Sequence, residues 1–300
     1  MPDPAIQVDA LTKRYGDQTV VDDVSFSVRT GTVTGFLGPN GAGKTTTLRC
    51  LLGLARATEG TATVLGAAYR DLDDPARTVG ANLEVSGAHP GRSGRQHLRS
   101  LAAMAGIPDS RVDEVLELTE MTAAADRRYG KYSMGMRQRI GLAAALLGEP
   151  RILVLDEPAN GLDPAGIRWL RDMLRSAAAE GRTVLVSSHV LAEMAQTVDD
   201  VVVIHHGKVV RQGPVGELTG AARGATIVRT PEAEKLAGAL RAAGAKVNAF
   251  EDGALNVEGL DAATVGDAAL AAGVAVHQLY QAQASLEDIF FELTAGEQAP

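Results

Sequence analysis

The stretch that most restricts this chain is VTGFLGPNGAGKTTTL, residues 33–48. Gly38, Pro39, Asn40, Gly41, Ala42, Gly43, Lys44 and Thr45 fit the pattern G-x-x-x-x-G-K-[ST], after a strand-like run and before a helix-forming one. Glycines there let backbone amides point inward at phosphate oxygens without interference from a β carbon. The helix start behind them adds partial positive charge. Lys44 would reach the β- and γ-phosphates of a nucleotide, Thr45 would ligate Mg²⁺, and Thr46 would donate to the α-phosphate. A loop of this kind sits at the carboxyl end of a buried strand, so the expected core is an α/β fold with a parallel sheet.

RILVLDEP, residues 151–158, supplies the complement. Four apolar residues make a buried strand that delivers Asp156 and Glu157 at its carboxyl end, where α/β folds place their ligands. Asp156 would hold the Mg²⁺ shell. Glu157 would act as general base or position the water in phosphoryl transfer, which otherwise rests on charge neutralisation and alignment. VLVSSH ends a further strand on His189, an imidazole able to bridge the γ-phosphate and the water.

The rest of the chain alternates strands and helices. Val24, Phe26 and Val28 alternate with Ser25, Ser27 and Arg29, the period of a half-buried strand. A helix is expected from Lys44 to about Leu54, and residues 96–148 are helix-rich, with a helical subdomain at about 88–140. Asp163-Pro164 reads as a helix start, Asp capping and Pro in the first turn; Gly181 ends that helix, and another begins near Leu191. Past residue 222 the order is strand-helix-strand-strand-helix-strand, the split βαβ, ferredoxin-like pattern. A closing helix, SLEDIFFELT, opens with Ser285 and Asp288 as a capping-box variant. Phe250, Phe290 and Phe291 are assigned to the core of this small α+β domain. The expected division is therefore 1–222 and 223–300.

Charge marks the same boundary. From residue 225 onward there are 4 Lys/Arg and 11 Asp/Glu, against 25 and 26 before it. An acidic tail beside a neutral body lacks the basic patch of a nucleic-acid surface, so no nucleic-acid partner is expected. No apolar run approaches the ~20 residues of a membrane span, and the start, MPDPAIQVD, has no signal-peptide character. The one cysteine, Cys50, excludes an internal disulfide framework and fits a reducing compartment. It is expected to be buried beside Leu51 and Leu54. His205-His206 precedes Gly207 at a strand–turn–strand and is read as a turn rather than a metal site.

Taken in order, these elements resemble the ATP-binding subunits of ABC transporters over essentially the whole chain. The resemblance implies a P-loop ATPase with a RecA-like parallel core, antiparallel β and helical subdomains, and the cofactors ATP and Mg²⁺. It makes Tyr15 the ring that stacks on adenine and residues 132–136, YSMGM, the signature. It puts Glu84, in VGANLEV, at the usual glutamine of the switch loop, as a Mg²⁺ ligand or water-orienting group. The family's signature is usually L-S-G-G-Q. Here Tyr132, Met134 and Met136 depart from it, while Ser133 and Gly135 keep the hydroxyl and the amide that would meet a γ-phosphate. A single subunit's signature faces no phosphate of its own, so the resemblance implies a head-to-tail dimer around two ATP molecules, with Asp163 touching across it.

Glu84, the Y-S-x-G-M-x-Q-R run and the closing ASLEDIFFELT look like the drug-export branch related to bacitracin-type and daunorubicin-type exporters. An integral membrane permease is then the partner, and the chain is expected in the cytoplasm, peripheral on the inner face of the membrane. A soluble ABC-type ATPase acting on ribosomes or DNA is the alternative. Such proteins usually carry tandem modules or a long coiled-coil insertion, and neither is present in this sequence. A GTPase would want N-K-x-D, and no Asn here is followed by Lys.

Overall fold

The apolar runs become two sheets in the first part of the chain. A computed structural model describes residues 4–83, 87–190, 194, 196–221, 225–249 and 254–281. The chain divides into two units, Met1–Pro214 and Val215–Pro300, the break falling ahead of the 222/223 boundary read from composition.

In the first unit the strands and helices run β1 (Ile6–Tyr15), β2 (Gln18–Val28), β3 (Val33–Leu37), α1 (Lys44–Leu51), β4 (Glu59–Val64), α2 (Pro75–Thr78) and β5 (Val79–Leu83). Then come α3 (Gly94–Met104), α4 (Ser110–Leu118), α5 (Met134–Leu146), β6 (Ile152–Asp156), α6 (Pro164–Ala179), β7 (Thr183–Ser188), β8 (Asp200–His205) and β9 (Lys208–Pro214). The central sheet has the order β5-β6-β7-β3-β8-β9. All its pairings are parallel except β8 with β9. Every residue of β3, β6 and β7 is buried, as a parallel sheet covered on both faces requires. The hairpin between β8 and β9 turns through His206 (φ 45°) and Gly207 (φ 79°), the positive-φ pair of a tight hairpin.

β2, β1 and β4 form a separate antiparallel sheet. Val24, Phe26 and Val28 are buried as their alternation predicts. Phe26 stacks on Phe36 of β3, ring centroids 5.2 Å apart, and so joins this sheet to the parallel core. Cys50 is buried in the same cluster, and burial raises its thiol pKa. α1 ends at Leu51 rather than near Leu54, because Gly53 adopts φ 69° and closes the helix. α3 to α5 make the helical part between β5 and β6. A capping box starts α3: Gln96 N donates to Ser93 Oγ at 3.2 Å, and Ser93 N donates to Gln96 Oε1 at 3.0 Å.

The second unit holds α7 (Val215–Ala221), β10 (Thr226–Arg229), α8 (Ala233–Ala242), β11 (Lys246–Ala249), β12 (Ala254–Glu258), α9 (Ala262–Ala271) and β13 (Gln278–Gln281). From β10 the element order is the β-α-β-β-α-β expected. The sheet is antiparallel throughout, β11-β12-β10-β13. Val228, Leu255 and Val257 form a core with Leu236 and Leu240 of α8 and Val265 of α9. Phe250, Phe290, Phe291 and the closing helix from Ser285 lie outside the described residues, as does most of the helix expected near Leu191.

Candidate active site

β3 ends at Leu37, and the next residues must turn at once under neighbouring backbone. A β carbon on Gly38 would lie 2.2 Å from the Ile204 carbonyl oxygen, so no larger residue fits. Gly43, at φ 103°, sets the N-terminus of α1 with no side chain capping it, leaving that helix start for an anion. Within the loop the Ala42 amide donates to the Pro39 carbonyl at 3.2 Å, and the Ala42 carbonyl accepts from Gly207 N at 3.0 Å. Ala42 itself is packed in the core; Asn40 and Gly41 are exposed. The loop, with Lys44, Thr45 and Thr46, bounds a cavity closed on one side by Val20 and on another by Glu157.

Lys44 is 5% exposed. Its ammonium donates to the carbonyls of Gly38 at 2.6 Å and Pro39 at 3.2 Å. It also stands 3.2 Å from Glu157 Oε1. That contact is an ion pair by distance without hydrogen-bond geometry, since Oε1 is a buried oxygen with no hydrogen-bond donor. The other carboxylate oxygen, Oε2, lies 2.8 Å from His189 Nδ1. Thr45 Oγ1 donates to Asp156 Oδ2 at 2.6 Å, and Ser187 donates its hydroxyl to Asp156 Oδ1. The carboxyl ends of β3, β6 and β7 thus bring together Gly38 to Thr46, Asp156, Glu157 and His189.

Glu157 is held in a left-handed backbone conformation, φ 49°, which costs a non-glycine residue on the order of 1 kcal/mol. Two bonds hold it there. Its N–H donates to Ser187 Oγ at 2.9 Å, and its carbonyl accepts from Gln138 Nε2 at 3.1 Å. Ser187 and Gln138 were not anticipated from sequence. The available signal was a polar side chain on an otherwise apolar pattern: Ser187 follows the apolar run VLV in TVLVSS, and Gln138 sits in line with buried Gly141, Leu142 and Ala145.

The remaining residues lie elsewhere. Ser133 caps α5, accepting from Met136 N at 3.3 Å. A β carbon on Gly135 would stand 3.0 Å from the Gly161 carbonyl, so the start of α5 packs against the turn leading to Asp163. Asp163 caps α6, accepting from Gly166 N at 2.8 Å. Tyr132 is buried and its hydroxyl donates to the Ala124 carbonyl at 2.7 Å, which accounts for an aromatic residue at that place. Met134 is exposed and overlies Gly161. Among the described residues no hydrogen bond or ion pair joins Ser133 or Gly135 to the phosphate loop. Tyr15 stands half-exposed at the end of β1, with the Lys13 ammonium 4.5 Å from its ring centre. β5 ends at Leu83 in register with Asp156; Glu84 itself lies outside the described residues.

Comparison with known proteins identifies the family. The family model described as ABC transporter matches residues 21–160, and one described as a domain of unknown function matches residues 224–287. A bacitracin transport ATP-binding protein of Bacillus licheniformis is 42% identical over 216 residues, 71% of each chain. A Nod factor export ATP-binding protein of Ralstonia nicotianae is 39% identical over 231 residues, 72% of this chain and 68% of that protein. A solved ATP-binding subunit of an ABC transporter superposes with a TM-score of 0.66 at 27% identity, covering 72% of this chain and 92% of the other.

Proposed function

The chain belongs to the ATP-binding proteins of ABC transporters, and from that premise we propose that it powers export of an antibiotic or similar amphiphilic compound through a separate membrane permease. The observation that carries the chemical part is the Glu157 carboxylate, set between Lys44 and His189 beside the Thr45–Asp156 pair. Similarity to proteins named for bacitracin transport and Nod factor export supports the direction. Among the described residues no helix is long and apolar enough to cross a membrane, which is consistent with a permease supplied by another chain. The working location is then the inner face of the cell membrane.

ATP entering the cavity replaces the two carbonyls on the Lys44 ammonium with phosphate oxygens. Thr45 Oγ1 and Asp156 Oδ2 are hard oxygen donors of the kind Mg²⁺ takes, so these residues fit the ion. Bound there, Mg²⁺ supplies neutralisation of phosphate charge. As Lys44 turns to the phosphates, Glu157 Oε1 is released to accept a proton from the attacking water, while His189 keeps the carboxylate in place through Oε2. Tyr15 stacks on the adenine and Thr46 donates to the α-phosphate. Glu84 contributes at the metal or the water.

Among the described residues Ser133 and Gly135 make no hydrogen bond or ion pair with the phosphate loop of their own chain, which supports a head-to-tail pair of subunits in which each signature closes on the other's ATP and Asp163 touches across. We assign residues 1–222 as the nucleotide-binding domain and 223–300 as an accessory domain. The strand order of the latter supports the ferredoxin-like reading.

The test is Glu157→Gln. With Mg·ATP the variant is expected to lose roughly 10²–10⁴-fold in hydrolysis, to bind ATP like the native chain, and to accumulate as a dimer in light scattering. A strictly monomeric variant would overturn the signature assignment. Captured from gently solubilised membranes with ATP, it should bring down a polytopic membrane protein; ribosomes or DNA in its place would overturn the transport reading.

A further inference from the structure

A buried polar chain enters the site from the helical part and is not accounted for by the chemistry above. Gln138, on the second turn of α5, is 2% exposed. Its Nε2 donates to the Glu157 carbonyl at 3.1 Å, and its Oε1 accepts from Asn82 Nδ2 of β5 at 3.4 Å. Asn82 is 4% exposed. Three residues further along α5, a β carbon on Gly141 would lie 2.5 Å from Asn82 Oδ1. The Asn82 carboxamide therefore occupies the space that a larger residue at Gly141 would need. The bond from Asn82 fixes which end of the Gln138 amide faces Glu157: oxygen toward Asn82, nitrogen toward the carbonyl.

On its other side Glu157 is tied by its N–H to Ser187. The two bonds clamp a backbone at φ 49° that would otherwise relax toward right-handed values, swinging the carboxylate away from Lys44 and His189. A buried carbonyl left without its donor also pays its full desolvation cost.

We propose that Gln138 is a positioning residue for ATP hydrolysis, holding the Glu157 peptide so that its carboxylate lies over the phosphate loop. The proposal rests on the reading of Glu157 as the base. It also ties the carboxylate at one nucleotide to the helix that Ser133 caps and whose first turn holds Gly135.

The experiment is steady-state hydrolysis by the full chain carrying Gln138→Met, a swap of similar volume without a donor. The expected result is a kcat lowered about tenfold, the loss of ~1.4 kcal/mol of hydrogen bonding at the transition state. KM and equilibrium ATP binding should stay within about twofold. Combined with Glu157→Gln, the same change should lower the residual rate no further, because residues that act as one unit are non-additive. A second variant, Asn82→Asp, keeps the volume but accepts where Asn82 donates; the Gln138 amide turns over, its oxygen meets the carbonyl, and kcat should fall in the same way.

A folded Gln138→Met chain that hydrolyses at the native rate would overturn the proposal. So would a rise in KM at unchanged kcat, or losses that multiply in full with Glu157→Gln. Should Gln138→Met fail to fold, native kcat in Asn82→Asp is the overturning result. Native hydrolysis by Glu157→Gln alone would instead sink the base assignment, and is separately visible.

Discussion

Two helix starts are assigned to phosphate in the proposed mechanism, and they are finished in opposite ways. α1 begins behind Gly43 with no side chain capping it. α5 begins behind Ser133, whose hydroxyl already accepts an amide of its own helix. The first end is a preformed anion site; the second is satisfied until something better arrives. A neutral cap bond contributes ~1 kcal/mol, whereas bonds to a charged phosphate are roughly twice as strong. Ser133 is therefore suited to exchange its own helix for a nucleotide held by another chain. In the proposed mechanism one subunit binds ATP alone, and a second supplies the clamp.

The hardest blow to that contrast comes from Lys44→Ala. It removes the buried ammonium of the α1 site and leaves the Glu157 carboxylate without its cation. Loss of a hydrogen bond to a charged group, up to ~3 kcal/mol, corresponds to about a 100-fold weaker ATP affinity, read by calorimetric titration of the monomer. Affinity within threefold of the native chain would mean that the α1 end is not the primary anion site.

How much of this was legible before any coordinates follows from the range over which each residue acts. The phosphate loop was readable because its geometry is local: Gly38 to Thr45 shape their own turn. Asp163 was readable as a cap because it bonds Gly166, three residues on. The α/β core followed from runs such as ILVL and TVLV. Gln138 and Ser187 escaped because their partners lie far along the chain, in Asn82 and Glu157 for one and Asp156 and Glu157 for the other. No spacing rule connects them. The left-handed φ of Glu157 was equally hidden, since a strand followed by two carboxylates does not announce which backbone will be bent. Tyr132 could be seen as a departure from the signature, but its reason, the Ala124 carbonyl, needed the packed helical subdomain.

Ser133→Ala tests the other helix start. Stability should drop by ~1 kcal/mol through the lost cap, seen as a lower denaturant midpoint. ATP affinity of the isolated subunit should be unchanged within twofold, while dimerisation of the Glu157→Gln background at a given protein concentration should weaken about tenfold. If subunit affinity fell alongside it, Ser133 would be meeting phosphate within its own chain, and the two helix starts would no longer differ in kind.

The smallest expected effect separates the two sides by pH. His97 of α3 lies in the helical part with Ser133, its ring 6.4 Å from that of Tyr129. Burial first, and then the Arg92 charge, hold its pKa below the ordinary imidazole value. The folded chain therefore keeps His97 neutral where the unfolded chain already takes a proton. As pH falls through the ordinary range near 6.5, the unfolded state gains protons first and stability declines; above that range the contribution is level. His97→Gln should flatten this slope between pH 7.5 and 5.5 in urea titrations. Because the imidazole is only partly buried, the difference should be modest. Its location is the sharper readout: protection against amide exchange, taken relative to the intrinsic rate at each pH, should fall on acidification in α3 and α5 of the native chain and hold in α1. An equal loss of protection in α1 would mean that the signature side and the phosphate-loop side loosen as one body, and that Ser133 is no more easily released than the loop itself.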